Sequence, residues 1–390
     1  MPKDDDQLPR VSALRGVSIA QCTRSRRKER TRGLYPYSPP PYRLLQTLLK
    51  RPDLAQYIKE VELLMVTPDT GVFHDRYDAR EGGLSRVELL TPDYDISGEI
   101  PFHFILRTLS GLRAGQLEAY MAVLLTLLTN VRTVNFRLRG PVVNHLMMKA
   151  LVYRPGRSMK TLKFTTDSTS GSGTRNFGPW LKWHRIDAAL PSILSLPGIE
   201  SLYVEELVCL TTTFEFSLLA SSTLFSTLKR LSLPRSNITE LHVGSLLMAM
   251  PKLEHFECLL AYDQSDNERC HGEVLSLALS FVAETLVSLS LGIDILRPQP
   301  TLWQVAKPLG SLKNFKKLET LHIPIALLIT PENVDDISEI DEILPPNLVS
   351  FTPNWRDPRV ATSALHYETT RMVKIYYAKR SWPLFDAPKY

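Results

Sequence analysis

The side chains that usually carry catalysis or bind metals are present in this sequence, but none has the spacing that such chemistry requires. The nine histidines form neither an H-x-x-x-H nor an H-E-x-x-H pair, the patterns that place zinc ligands on one helix face. The cysteines Cys22, Cys209, Cys258 and Cys270 form no C-x-x-C pair, and no G-x-S-x-G elbow occurs. We therefore expect no enzyme activity, no metal ion and no cofactor.

Three further segments have compositions that can bind ligands. The basic run RSRRKER (24–30) is compatible with a nuclear-localisation or nucleic-acid patch, but we favour a solvated helix end. The acidic segment ENVDDISEIDEIL (332–344) could hold a cation or a basic partner. Its apolar residues, Val334, Ile337 and Ile340, lie three apart and favour a solvated helix instead. The loop DSTSGSGTRNFG (167–178) matches neither phosphate-loop pattern and is expected to be a flexible insertion.

Composition predicts a folded intracellular protein. Of the 390 residues, 44% are hydrophobic and 22% charged, as in ordinary globular domains. A net charge of +5 with interspersed signs does not imply a nucleic-acid partner. No run of 18 apolar residues predicts a membrane span, and the acidic start MPKDDDQLPR lacks the apolar core of a signal peptide. We expect a cytoplasmic or nuclear protein whose cysteines are buried and reduced.

The dominant pattern is a recurring L-x-x-L-x-L motif, with other apolar residues allowed at the leucine positions. We call each occurrence a rung. Successive rungs from Val134 to Phe351 lie 25 to 40 residues apart, a period typical of stacked structural repeats. The nine rungs are Ile58, Val61 and Leu63; Val131, Val134 and Phe136; Met159, Leu162 and Phe164; Ile199, Leu202 and Val204; Leu228, Leu231 and Leu233; Leu253, Phe256 and Cys258; Leu286, Leu289 and Leu291; Leu318, Leu321 and Ile323; and Leu348 with Phe351.

Amphipathic helices precede several rungs. In QLEAYMAVLLTLLTN (116–130) the apolar residues recur at helical spacing, and Asn130 ends the pattern one residue before the next rung. A helix and a strand cannot each bury an apolar face alone, so neighbouring units must stack. We predict an α/β leucine-rich-repeat solenoid, with helices lining a curved parallel sheet and irregular repeats of about 25–40 residues. A helical solenoid of the armadillo or HEAT type is the rival, disfavoured by clean alternation in the rungs.

The rungs also carry a family resemblance. The segment LLQTLLKRPDLAQYIKEVELL (44–64), with LLMAMPKLEHFE (246–257) and PSILSLPGIESLYV (191–204), resembles fungal F-box/leucine-rich-repeat proteins. In that family an F-box begins with Leu-Pro and an apolar helix, which docks on the Skp-type adaptor of a cullin–RING ubiquitin ligase. Here Leu8 and Pro9 are present, but the apolar helix does not follow them. Residues 13–40 are similar to the closing half of an F-box, with Leu14, Val17 and Cys22 as its apolar contacts.

The resemblance implies three segments: a truncated or degenerate F-box-like region at 1–40, the repeats at 41–355, and a C-terminal cap or tail at 356–390. It also implies that Leu8, Pro9, Leu14 and Val17 would bind the adaptor. The protein would then be the substrate-recognition subunit of a ubiquitin ligase, with a Skp-type adaptor, a cullin and a protein substrate as partners. The alternative is a stand-alone leucine-rich-repeat scaffold for protein–protein interaction. A third, an enzyme with a site grafted on the repeats, has no motif to support it.

Partner recognition is expected on the strand positions between the leucines, because these line the concave surface of a solenoid. Tyr and Arg are favoured anchors at protein interfaces, and Tyr203, Arg230 and His255 lie near the middle of the series. We take Lys163, Tyr203, Arg230, Ser232, His255, Glu257, Ser288 and His322 as the candidate binding residues. The other members of the series are Glu60, Glu62, Thr133, Asn135, Thr161, Ser201, Ser290 and Thr320.

Overall fold

The computed structural model describes fourteen segments: residues 17–19, 41–65, 102–113, 117–138, 145–152, 158–166, 196, 198–205, 227–236, 238–262, 270–295, 305–329, 340–354 and 364–380. The chain divides into two compact units, residues 1–203 and 204–390. Leu8, Pro9, Leu14, the basic run 24–30 and the loop 167–178 lie outside the described residues, as do Cys22 and Cys209. In the described segments, no helix is both long and apolar enough to cross a membrane.

The first unit alternates helices with strands that pair in parallel. Its strand order is β1-β2-β3-β4-β5. The strands are β1 (Val17–Ile19), β2 (Glu60–Met65), β3 (Thr133–Leu138), β4 (Thr161–Thr166) and β5 (Ser201–Val204), the last of which ends at the unit boundary. The helices are α1 (Pro41–Lys50), a 3-10 helix (Pro52–Tyr57), α2 (Phe102–Arg113), α3 (Leu117–Leu127) and α4 (His145–Val152).

Register in the first unit places equivalent rung residues side by side. Val61 pairs with Val134 and Val134 with Leu162, while Phe136 pairs with Phe164. All of these side chains are fully buried, and the rings of Phe136 and Phe164 stack with centroids 5.2 Å apart. Helix α3 supplies the other side of this core, and its buried face is the one that the helical spacing predicted: Met121, Leu124, Leu125 and, just beyond the helix, Leu128.

The second unit repeats this arrangement. Its main sheet has the order β6-β7-β9-β11-β12, and a separate two-stranded sheet pairs β8 with β10. The strands are β6 (Arg230–Ser236), β7 (His255–Tyr262), β8 (Cys270–His271), β9 (Ser288–Ile295), β10 (Val305–Lys307), β11 (Thr320–Pro324) and β12 (Ser350–Asn354). The helices are α5 (Glu240–Met248), α6 (Gly272–Ser280) and α7 (Ala364–Lys379), with 3-10 helices at Ile325–Leu327 and Ile340–Glu342.

The central leucines of the second unit form one continuous buried line. Leu231 pairs with Phe256, Phe256 with Leu289, and Leu289 with Leu321, which in turn pairs with Phe351. Each of these side chains is at most 2% exposed. Helices α5 and α6 pack closely, since a Cβ added at Gly244 would lie 3.4 Å from Cβ of Ala278. The predicted α/β class with a parallel sheet and accompanying helices is therefore confirmed, and strands at all nine rungs exclude an all-helical architecture for these segments.

The same pair of backbone hydrogen bonds forms a ladder at the start of seven described strands. The carbonyl of Lys59 accepts from the amides of Arg132 and Thr133, at 2.7 and 3.1 Å. One carbonyl accepting from two successive amides of the next strand recurs at six further places, at Arg132, Lys160, Lys229, Glu254, Val287 and Glu319. These bonds satisfy backbone groups that would otherwise be left unpaired where the strands begin, and they set the register of each following strand.

Short polar side chains reinforce this ladder from the position directly before a rung. Ser158 donates to the carbonyl of Thr129 at 2.6 Å, and Asn347 donates to the carbonyl of Lys316 at 2.6 Å. Thr285 donates to the carbonyl of Leu253 at 2.8 Å. Thr129 and Lys316 each lie two residues before the first apolar residue of the preceding rung, so these ties join equivalent turns of neighbouring strands.

Helix α7 covers the edge strand of the second unit. The hydroxyl of Tyr377 donates to the carbonyl of Phe351, and Arg380 donates to the carbonyls of Leu348 and Pro346 at 3.4 and 3.3 Å. Phe351 also meets the ring of Tyr376 edge-on, with centroids 6.0 Å apart. An uncovered edge strand exposes unpaired backbone groups that invite aggregation. These contacts place part of the 356–390 segment against the end of the sheet.

The acidic segment is described only from Ile340 onward. There it forms the 3-10 helix Ile340–Glu342, with Ile340 buried and Asp341 3.6 Å from the ammonium of Lys379. Val334 and Ile337 lie outside the described residues. Asp341 therefore acts as a surface partner of α7 in this part of the chain.

Replacing Leu231 by Ala is expected to destabilise the protein by about 2–5 kcal/mol, because it removes a fully buried side chain from the central line. Leu241→Ala is the matched control, since Leu241 is 72% exposed on α5 and its truncation should cost less than about 0.5 kcal/mol. Urea unfolding followed by circular dichroism measures both. Equal midpoints for the two variants would contradict the assignment of Leu231 to the core.

Replacing Thr285 by Val keeps the side-chain shape but removes the hydroxyl that donates to Leu253. The carbonyl of Leu253 then loses this hydrogen bond, which should lower the free energy of unfolding by about 1–2 kcal/mol. Thr320→Val is the control, because Thr320 is exposed on β11 and Val is at least as favourable as Thr in a strand. If both variants unfold at the same denaturant concentration, the hydroxyl tie contributes nothing to stability.

Candidate binding face of the parallel sheets

Alternation along each strand separates the buried rung residues from a second set of side chains on the opposite face. Leu231 and Leu233 are buried, whereas Arg230 is exposed and Ser232 half-buried between them. The structure places Lys163 and Tyr203 on the face of the first unit. It places Arg230, Ser232, His255, Glu257, Ser288 and His322 on that of the second. All eight candidate residues lie on strands and are at least partly exposed.

In the first unit, the face is cross-linked by polar contacts between strands. Arg137 Nε lies 3.5 Å from Glu62 Oε1, and Thr165 Oγ1 lies 3.2 Å from Asn135 Oδ1. Lys163 pairs in register with Asn135 and is half-buried. Several polar groups of this face therefore already have partners within the chain.

In the second unit, strand register gathers the candidate residues into two rows. The first row is Arg230, His255, Ser288, Thr320 and Ser350, and the second row is Ser232, Glu257, Ser290, His322 and Thr352. Adjacent strands lie about 4.8 Å apart, so each row crosses about 19 Å of sheet. Residues far apart in sequence thus become neighbours.

In the second row, side chains on neighbouring strands form hydrogen bonds with each other. Ser232 Oγ donates to Glu257 Oε2 at 2.6 Å, and Ser290 Oγ lies 3.2 Å from His322 Nδ1. A partner would have to compete with these hydrogen bonds. Each pair joins two neighbouring strands and so also stabilises the register.

The first row differs because its donors lack partners. Among the described residues, the side chains of Arg230 and His255 have no hydrogen bond or ion pair. The adjacent Lys229 is paired with Glu254 at 3.0 Å, and hydrogen bonding from Lys229 lowers the pKa of that carboxyl. Partial burial, and then the positive charge of Arg230, lower the pKa of His255, while Glu254 opposes the shift. At neutral pH the row therefore presents a guanidinium and a neutral imidazole.

An apolar border follows the two rows along the strands. Pro234, Leu259, Gly292 and Pro324 are all half-buried and come two residues after the second row. Leu259 fills the space above Gly292, because a Cβ there would lie 2.5 Å from Leu259 Cδ1. The face therefore grades from charged and hydroxylic side chains to apolar ones.

The cysteine on these strands does not indicate nucleophilic chemistry. Cys258 points into the core, where burial raises the pKa of its thiol far above the ordinary value, so it is a poor nucleophile. In the segments the structure describes, no group of three or more His, Cys, Asp or Glu is placed to hold a metal ion. Exposed donors of mixed type on a rigid sheet suit contact with another molecule.

Of the four adaptor-binding candidates, the structure describes only Val17. It lies in β1, where it pairs in parallel with Val61 of β2, and Ile19 pairs with Leu63. The alternation pattern did not identify Lys229 and Glu254, because they precede the strands. A charged residue directly before a strand recurs at Lys59, Arg132, Lys160 and Glu319. That recurrence in the sequence could have identified Lys229 and Glu254.

Titration of His255 by NMR should give a pKa below about 6.5, the ordinary histidine value. Arg230→Gln removes a positive charge and should raise that pKa. Glu254→Gln removes a negative charge and should lower it further. Shifts of the same sign in the two variants would contradict the described electrostatics.

Comparison with known proteins assigns no family to this chain. No protein-family model matches it, and the comparison with curated proteins finds no match. A function must therefore be inferred from the residues and geometry described above.

Proposed function

We propose that this chain is a leucine-rich-repeat solenoid that recruits another protein through the polar face of its parallel strands. The observation that carries the proposal is the first row, where Arg230 and His255 are held on a rigid sheet without partners among the described residues. In-register pairing of eight rungs, three in the first unit and five in the second, and the recurring turn ties support the repeat assignment. The protein acts in the cytoplasm or nucleus.

Within this proposal, the chain is the substrate-recognition subunit of a cullin–RING ubiquitin ligase. Support comes from the sequence resemblance in 44–64 and from Leu8, Pro9, Leu14 and Val17 in the F-box-like segment. The mechanism is geometric: the N-terminal segment binds the Skp-type adaptor, and the strand face holds a substrate for ubiquitin transfer by other subunits. The chain itself performs no chemistry.

A stand-alone scaffold without a ubiquitin-ligase link is the second candidate. One observation favours it, because Val17–Ile19 pairs as a strand with β2. Backbone that completes a sheet in this way is committed to the fold of the chain. The missing apolar helix after Pro9 favours the same reading.

Affinity purification with mass spectrometry separates the two candidates. The full-length chain should capture the Skp-type adaptor if it serves a ligase, and a variant lacking residues 1–40 should lose it. Because that deletion also removes β1, the double variant Leu8→Ala and Pro9→Ala tests the same contact with the sheet intact.

A face variant tests recruitment itself. Arg230→Ala, Glu257→Ala and His322→Ala together should abolish capture of the substrate while leaving the adaptor bound. Lys313→Ala, Glu284→Ala and Lys374→Ala change three exposed charged residues elsewhere and should leave capture unchanged. If the face variant retains every partner of the unmodified protein, the proposal is wrong.

A further inference from the structure

We propose that the first row of the second unit binds an acidic segment of a partner protein, with the carboxylates of two alternate residues docked at Arg230 and His255. This inference rests on the proposed function, because it names the chemistry of the partner that the strand face recruits. It follows from three properties of the row: its unpaired donors, its local charge and its length.

The first property of the row is its set of hydrogen-bond donors. Arg230 offers a planar fork that matches a carboxylate in bidentate geometry, and His255 lies beside it in strand register. Beyond them the row continues with three hydroxyls, those of Ser288, Thr320 and Ser350, none of which has a hydrogen-bond partner among the described residues. An acceptor-rich ligand satisfies this set without breaking any hydrogen bond already present.

Local charge selects the same ligand. Lys229 and Glu254 neutralise each other across 3.0 Å, so Arg230 leaves one net positive charge at this end of the row. Glu257, in the second row, is engaged by Ser232 at 2.6 Å and marks the side from which carboxylates are repelled. The acidic residues therefore belong at the Arg230 end, and the rest of the segment is polar and uncharged, since Glu319 precedes the row at Thr320.

The length of the row sets the size of the segment. Five strands span about 19 Å, and an extended peptide rises about 3.3 Å per residue. About six residues therefore cover the row from β6 to β12. The rows lie across the strands, so such a segment crosses the sheet and contacts its side chains, leaving the backbone ladder intact.

The affinity for the acidic segment should depend on pH, and the direction of the change can be derived. The charged groups that act on His255 are Arg230 on β6 and Glu254 directly before β7. A bound carboxylate favours the imidazolium, so binding takes up a proton. Affinity should therefore increase as the pH falls from 7.5 to 6.0, by up to about tenfold for each unit by which the ligand raises the pKa of His255. Glutamate side chains remain ionised across this range.

The test uses the full chain and a capped hexapeptide with glutamate at its first and third positions and glycine or serine at the others. The control peptide has two glutamines in place of the glutamates. Binding is followed by NMR, which detects affinities in the millimolar range and locates the contact. We expect shifts centred on Arg230, His255 and Ser288 with the glutamate peptide, tightening toward pH 6.0, and at least about tenfold weaker binding of the glutamine peptide.

Matched variants separate the site from general charge effects. Arg230→Gln should weaken binding by about tenfold or more, Arg230→Lys should recover part of it, and His255→Gln should abolish the pH dependence. Lys313→Gln makes the same charge change at an exposed site outside the row and should bind as the unmodified chain does. Thermal unfolding verifies that each variant is folded.

Equal binding of the two peptides, or shifts centred outside the first row, would overturn the inference. So would equal weakening by Lys313→Gln. If the peptides fail to discriminate but the face variant still loses its substrate in affinity purification, the proposed function stands and only the acidic ligand is wrong. If the glutamate peptide binds as expected and the face variant retains every partner, the binding site is real but does not serve the recruitment proposed for it.

Discussion

The alignment of the parallel strands in the two units depends on a carbonyl that accepts two amides at the start of the next strand, which occurs at seven places among the described residues. The carbonyls of Lys59 and Glu254 are examples, each holding the first amides of the following strand. Parallel strands cannot be joined by a short hairpin, so each connection is long and contributes no register of its own. The ladder and its side-chain ties supply that register at the end of the strand where the chain enters. Once the register is set, equivalent rung residues of neighbouring strands lie side by side.

The strand register determines which side chains lie on the exposed face of the sheet as well as which lie in the core. Because side chains alternate with a period of two, a slip of one residue would turn Leu231 toward solvent and Arg230 into the core. Burying an unpaired guanidinium costs several kcal/mol, so the slipped arrangement is strongly disfavoured. The apolar line from Leu231 to Phe351 therefore also fixes the first row. The exposed polar rows and the core packing are two consequences of the same alignment.

The period of the apolar pattern predicted the strands, the helices before them and the side chains on each face, because these are local properties of the chain. It could not predict contacts that depend on which strands become neighbours. β8 and β10 are too short to show a pattern, and their approach depends on Gly272, where a Cβ would lie 2.4 Å from the carbonyl oxygen of Lys307. The turn ties use Ser, Thr or Asn interchangeably, so no single residue type marks the position. The register shift between Leu233 and Ser236 leaves no signal in the rung.

The same distinction separates two residues that the sequence treats alike. Arg230 and Ser232 flank one leucine and share one face, so the motif ranks them equally as binding candidates. Ser232 is already bonded to Glu257, and a partner that used it would first have to break a charge-assisted hydrogen bond. Arg230 has no such bond to break among the described residues. The difference arises from the residue that register places opposite each side chain, and it is the reason for proposing the first row as the binding part of this face.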